Sequence, residues 1–321
     1  MKDDKQKRPR LSSGLLLLLI TAIALAFIIL AMALFTGCSS SAEESGGVER
    51  IFVFIGDGMG INHVAATRYF QQARDSKSQN ELWGGSFDSF PHIGLMSTDS
   101  LSSVTDSAAS ITAMLTGQKT ENGAINYDVV SERSLKPFAA EAKQRGYAVG
   151  VISSTSADHA TPAGIYACAT DRYDYETLAR QAVVPQYLDF LGAGGFRAGE
   201  DELIASALEA GFEVAQGPQA VRSLSASSSP ILALARGGLR DYEMAYEIDR
   251  LRAAQYGGEA LSLAELLDAA LRSLEGRERF IIFCEAAKID MASADGDLVT
   301  ALYEVQALDD AVSLAVEFYE E

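Results

Sequence analysis

Several acidic residues stand where an apolar run gives way to a turn. Asp57 follows the run Ile51 to Ile55 and Gly56, and Glu285 follows the run Phe280 to Cys284. In an open α/β sheet the binding site lies beyond the carboxyl ends of the strands. Both acids therefore fall on one rim if their strands are parallel. Asp290 comes five residues after Glu285, and the small Ala286 and Ala287 between them let the backbone pass close to a crowded site. Each acid alone reads as a turn or a solvated strand end. Together they suit a hard divalent cation, which takes several oxygen ligands.

A third strand end adds other chemistry. His159 and Thr161 follow the run Tyr147 to Ser153, and Arg172 lies ten residues beyond Pro162. His159 alone is more often structural than a ligand. Arg172 alone reads as a surface ion pair, but beside a cation its planar fork suits two phosphate oxygens. Ser107 opens an alanine-rich stretch directly after Asp106. Asp106 suits the cap of a helix, and the helix would aim its first amides at an anion. A serine hydroxyl is a poor nucleophile until something activates it. His63, His92 and His159 form no recognisable serine–histidine–acid motif; a metal that holds the alkoxide could serve instead. The two readings coexist, because the cap positions the nucleophile.

The elements that carry these residues alternate. Continuous apolar runs at 51–55, 92–97, 147–153 and 280–284 predict buried strands. Helical stretches at 137–145, 200–210 and 259–275 end at Gly146, Gly211 and Gly276. Another helix runs from Ser107 to near Gly117, and a long helical pattern closes the sequence from Asp297. Strand and helix in alternation predict an α/β layered sheet. The stretch 221–230 reads as a loop, and 237–257 as a more polar inserted excursion.

The chain has 321 residues, 48% of them hydrophobic, and a net charge of −18. Residues 1–10 carry five basic and two acidic side chains, so the body is more acidic still. Such a body offers no general attraction to nucleic acid. The charge-free run Leu15 to Phe35 has 21 residues, enough to span a bilayer as a helix, and ends in Thr36-Gly37-Cys38. Residues 1–37 are expected to be an export signal or an anchor, and 38–49 a tether to a domain over 50–321. The Gly37-Cys38 junction resembles a bacterial lipoprotein site, with Cys38 lipidated; an uncleaved anchor helix is the rival. Both place the domain outside the cytoplasmic membrane, attached to it. Cys168 and Cys284 could pair or remain buried thiols.

The stretches Ile55 to Gly60, Thr105 to Ser110 with Thr116 to Ala124, His159 to Pro162, and Glu285 to Asp290 resemble, in order and spacing, the alkaline phosphatase family. That resemblance implies a three-layer α/β/α sandwich around a mostly parallel sheet. It also implies hydrolysis of small phosphate monoesters at two Zn2+ and one Mg2+ through a phosphoserine, with a homodimer allowed. Carried over by position, Ser107 attacks phosphorus and binds one zinc, which Asp57 bridges to magnesium. Thr161 and Glu285 hold magnesium, with His159 near it. Arg172 clamps the substrate phosphate, and Asp290 binds the second zinc.

The sequence also departs from that pattern. The resemblance puts a zinc-binding histidine four residues after Asp290, where Ala294 stands. It also expects later histidines, and the last one here is His159. A C-terminally incomplete family member is expected on that ground. Two alternatives follow: a member that binds phosphate and Mg2+ without turnover, and a phosphodiesterase or sulfatase-like hydrolase.

Overall fold

The computed structural model describes residues 48–74, 84–184 and 186–320. The expected leader at 1–37, Cys38 and most of the tether lie outside them. No helix among the described residues is long and apolar enough to cross a membrane.

Among the described residues, six strands form the central sheet: β1 (Arg50–Gly56), β4 (Ala148–Ser153), β5 (Phe190–Ala193), β6 (Glu213–Gln216), β7 (Ile231–Leu234) and β8 (Phe280–Ala286). Their order is β1-β8-β4-β5-β7-β6, and every pairing is parallel. The short β2 (Tyr127–Asp128) and β3 (Arg133–Ser134) pair separately and antiparallel. In β4, Val149 and Val151 enter one core and Ala148 and Ile152 the other. Both faces are covered, so the strand reads as a continuous apolar run rather than an alternating one.

The first core is closed by α2 (Ser107–Thr116), α3 (Phe138–Gln144), α4 (Ala160–Tyr166), α5 (Tyr175–Val183) and α6 (Glu200–Glu209), through residues such as Ala108, Ala163, Leu178 and Leu203. The second is closed by α7 (Pro218–Arg222), α9 (Leu263–Ser273), α10 (Lys288–Ala294) and α11 (Leu298–Glu320), through Val221, Leu266, Ile289 and Leu308. The expected three-layer α/β/α sandwich is what forms. Two further helices, α1 (Ile61–Arg74) and α8 (Glu247–Ala254), pack against α11.

Several boundaries follow local chemistry. Asp106 caps α2 by accepting the Ala109 amide, and Gly117 ends that helix at φ 70°. The expected helix at 259–275 starts only at Leu263, because Ser262 and Glu265 form a reciprocal capping box there. The excursion at 237–257 contains α8. The expected strand at 92–97 does not form: the stretch is irregular, and Ile93 and Leu95 are 93% and 91% exposed. An apolar run becomes a strand only where a ladder partner takes its amides, and among the described residues this run has none.

Candidate active site

β8 lies between β1 and β4, with Glu285 in register with Ile55 on one side and Ser153 on the other. That register puts three strand ends side by side. Asp57 leaves β1 one residue beyond Gly56, Glu285 sits near the end of β8, and the chain after β4 returns through His159 into α4. Helix α4 is locked to α2 by a close approach: a Cβ on Gly164 would lie 2.3 Å from Ile111 Cγ2. The helix that begins at Ser107 is thereby fixed against the helix that carries Thr161. Asp290, in the first turn of α10, closes on the turn after β1. Gly58 has φ +65°, and a Cβ there would meet Asp290 Oδ1 at 2.5 Å, so glycine is required for both shape and space.

Asp57, His159 and Glu285 each present a ligand atom, and the three atoms lie within 4.8 Å of one another. Glu285 is 2% exposed. Its Oε2 accepts the Ser153 hydroxyl proton at 2.5 Å, whereas Oε1 is buried without a hydrogen-bond partner. Burial and the neighbouring Asp57 carboxylate push the Glu285 carboxyl well above the ordinary carboxylate range, which the Ser153 and Thr161 hydroxyls and Arg172 only partly offset. Asp57 is raised as well, first by burial and then by Asp290, against the Ser107 hydrogen bond and Arg172. His159 is driven down to about 3 by burial and by the Arg172 and Arg197 charges, so its imidazole is neutral at physiological pH. His159 Nδ1 is likewise buried and unpartnered. A neutral imidazole, two carboxyls held against their own repulsion and an orphaned carboxylate oxygen fit a divalent cation. Thr161, 4% exposed, adds a hydroxyl beside Glu285.

Ser107 begins α2 directly above these groups. Its Oγ donates to Asp57 Oδ2 at 3.0 Å. Asp106 does more than cap. Its Oδ1 accepts from Ala109 N, while Oδ2 accepts from Gly123 N and from Arg172 Nη1, each at 3.0 Å. Arg172 is held from its other side by Nη2 against His159 Nε2 at 3.1 Å, and its backbone amide donates to Gly123 O. Asp57, Ser107, Arg172 and Asp290 line one open cleft of about 870 Å³. His159 and Glu285 adjoin that lining through Arg172 and Asp57, and Thr161 bonds Glu285. Every site residue expected in the folded domain therefore converges on one rim.

Cys168 and Cys284 are free, and burial raises the Cys168 thiol to about 11. Sequence reasoning missed Ser153 as the Glu285 donor and Asp106 as the anchor of Arg172. The first had a faint signal, a polar residue ending an apolar strand; the second joins residues 66 apart.

The alkaline phosphatase family model matches residues 48–191 and 183–321. The chain belongs to that family. Alkaline phosphatase 3 of Bacillus subtilis is 28% identical over 302 residues, which cover 87% of this chain and 60% of the relative. Alkaline phosphatase 4 of the same organism is 29% identical, with the same coverage. The cold-active alkaline phosphatase of a Shewanella species superposes with a TM-score of 0.73 at 29% identity, over 84% of this chain and 64% of that one. The Thermus thermophilus enzyme gives a TM-score of 0.71 at 29% identity, over 85% and 56%. The chain thus spans about 60% of the length of those curated alkaline phosphatases.

Proposed function

We propose that the chain hydrolyses phosphate monoesters through a phosphoserine at Ser107, with a divalent cation held by Asp57, His159, Thr161 and Glu285. The observation that carries this reading is the Ser107 hydroxyl donating to Asp57 in a cleft it shares with Arg172. Ser107 presents Oγ at the positive end of α2, where an entering phosphate meets the helix dipole. Arg172, oriented by Asp106, grips two phosphate oxygens. Asp57 receives the hydroxyl proton's hydrogen bond and orients Oγ for attack. A bound divalent cation would supply Lewis acidity that favours the ionised serine and the charge developing on phosphorus. A single-residue variant of the alkaline phosphatase from the bacterium TAB5, 26% identical, was solved with Mg bound, which supports magnesium as that cation.

Zinc is supported less well. Toward Asp290 the cleft offers oxygens from Asp57, Ser107 and Asp290, whereas zinc favours nitrogen and sulfur. Ala294, where the resemblance puts an imidazole, thus favours a second reading: binding of phosphate and Mg2+ without turnover. Ser107→Ala separates the two. Under the first reading it lowers release of phosphate from a chromogenic monoester by about 10³-fold or more, with unchanged circular dichroism. Wild-type rates in that variant would reject the nucleophile. Phosphate binding without turnover in the parent chain would establish the second reading.

We also propose that residues 1–37 deliver the domain outside the cytoplasmic membrane and that Cys38 or the apolar run 15–35 retains it there. The basic start, the apolar run and the Gly37-Cys38 junction support this. Metabolic labelling with a radioactive fatty acid, lost in Cys38→Ala, would identify the lipid form.

A further inference from the structure

We propose that His63 is a positioning residue: its imidazole clasps the turn that carries Asp57 to the helix that carries Asp290, and so sets the spacing of the two carboxylates. The inference rests on the reading of this rim as a cation site.

His63 lies in the first turn of α1, far in sequence from the residue it meets. Its Nδ1 accepts the Gly60 amide proton at 3.1 Å, and its Nε2 lies 3.0 Å from Ser293 Oγ. The Ser293 hydroxyl has one proton and gives it to Ile289 O at 2.6 Å. Ser293 Oγ must then accept from His63 Nε2–H. Nδ1 is already an acceptor, so the ring is the neutral Nε2–H tautomer with both nitrogens engaged. An imidazole in this state braces its surroundings rather than presenting a lone pair to a metal.

The two contacts belong to the two segments that matter. Gly60 closes the turn Asp57-Gly58-Met59-Gly60, tied internally by Met59 N to Gly56 O at 3.1 Å. Ser293 stands three residues after Asp290, on the same face of α10. Asp57 and Asp290 line the same cleft, two acids that repel when both are ionised. Gly58 gives way sterically to let Asp290 in, and the clasp then holds the segments together against that repulsion. Groups that orient ligands from behind commonly shift metal affinity by about 10–100-fold when removed.

The test uses the full chain and Mg2+, titrated in competition with a chromophoric chelator. His63→Leu removes both bonds and Ser293→Ala removes the one between segments. Each is expected to weaken Mg2+ by about tenfold, and the double variant to weaken it little further. His63→Gln, whose amide can donate to Ser293, is expected to recover most of that affinity. Melting temperatures in chelator are expected to differ little among the four variants. An unchanged Mg2+ affinity in His63→Leu and Ser293→Ala would overturn the clasp. So would a weakening matched by an equal loss of chelator-state stability. Failure of His63→Gln to recover affinity would rule out the donated bond to Ser293 as the cause, again overturning it. Asp57→Asn, run alongside, separates this from the reading beneath it. If that variant binds Mg2+ as the parent does, the rim is not the cation site and both fall; if it loses Mg2+ while the His63 variants do not, the clasp alone falls.

Discussion

Two buried ionisable groups three residues apart, Glu285 at the end of β8 and Lys288 at the start of α10, are handled in opposite ways. Lys288 is 1% exposed, and its Nζ lies 3.1 Å from Glu243 Oε2 and 3.9 Å from the centre of the Tyr246 ring. Glu243 also receives Arg240 Nη1 at 2.9 Å. Burial alone would raise Glu243, but Lys288 and Arg240 outweigh it and hold the carboxyl below its ordinary range. That cluster is complete. Glu285 is as deeply buried, yet its strongest charged neighbour, Asp57, is another acid that Arg172 only partly offsets, and one of its oxygens lacks a partner. A buried charge whose compensation is present fixes structure; one whose compensation is missing marks where a cation belongs. Burial does not distinguish these two residues. The sign of the neighbours does.

Breaking the complete cluster should cost most. Lys288→Met leaves a buried glutamate with only a rim arginine, and is expected to lose about 3 kcal/mol in denaturant unfolding. The loss should be the same with and without Mg2+. A strong Mg2+ dependence would erase the distinction between the two regions.

The incomplete cluster predicts the reverse. Glu285→Gln removes a like-charge contact, so the cation-free protein should gain on the order of 1–2 kcal/mol at pH 8 while Mg2+ no longer raises its melting temperature. The pH dependence has a fixed sign. Asp57 and Glu285 bind protons more tightly folded than unfolded. Cation-free stability should therefore fall as pH rises from the ordinary carboxylate range, until both have ionised in the fold. Saturating Mg2+ should flatten that slope. Unfolding in chelator at pH 5 and pH 9 measures it, and a rise with pH would refute the uncompensated pair.

The smallest effect belongs to the anchor of Arg172. Asp106→Asn keeps an acceptor for the Ala109 amide but removes the charge partner of Arg172. Phosphate affinity should fall several-fold, on the scale of about 1 kcal/mol for a partly exposed ion pair, with helix content unchanged. Isothermal titration with inorganic phosphate checks it.

Local chemistry made much of this readable from sequence. The Asp106 cap, the glycine stops at Gly117, Gly146, Gly211 and Gly276, and the apolar runs of β1, β4 and β8 involve residues near each other along the chain, where short-range sterics and hydrogen bonds decide. Asp57, His159, Thr161 and Glu285 were legible because strand ends of a parallel sheet share one rim, whereas the order that joins Ser107, Arg172 and Asp290 to them came from the resemblance to a known family. Other features needed the folded chain. The run 92–97 has strand composition but no ladder partner among the described residues. Ser153 meets Glu285, Arg172 meets Asp106, Lys288 meets Glu243 and His63 meets Ser293 across 132, 66, 45 and 230 residues. Composition and periodicity report which side chains are apolar and which helices begin where. They do not report which lone polar atom faces another, because that depends on the register of β1, β8 and β4 and on how closely α10 approaches the turn at Gly58. The sequence by itself determined the layers, the caps and the residue types on the rim. The tertiary structure alone decided that Glu285 is left short of positive charge while Lys288 is satisfied.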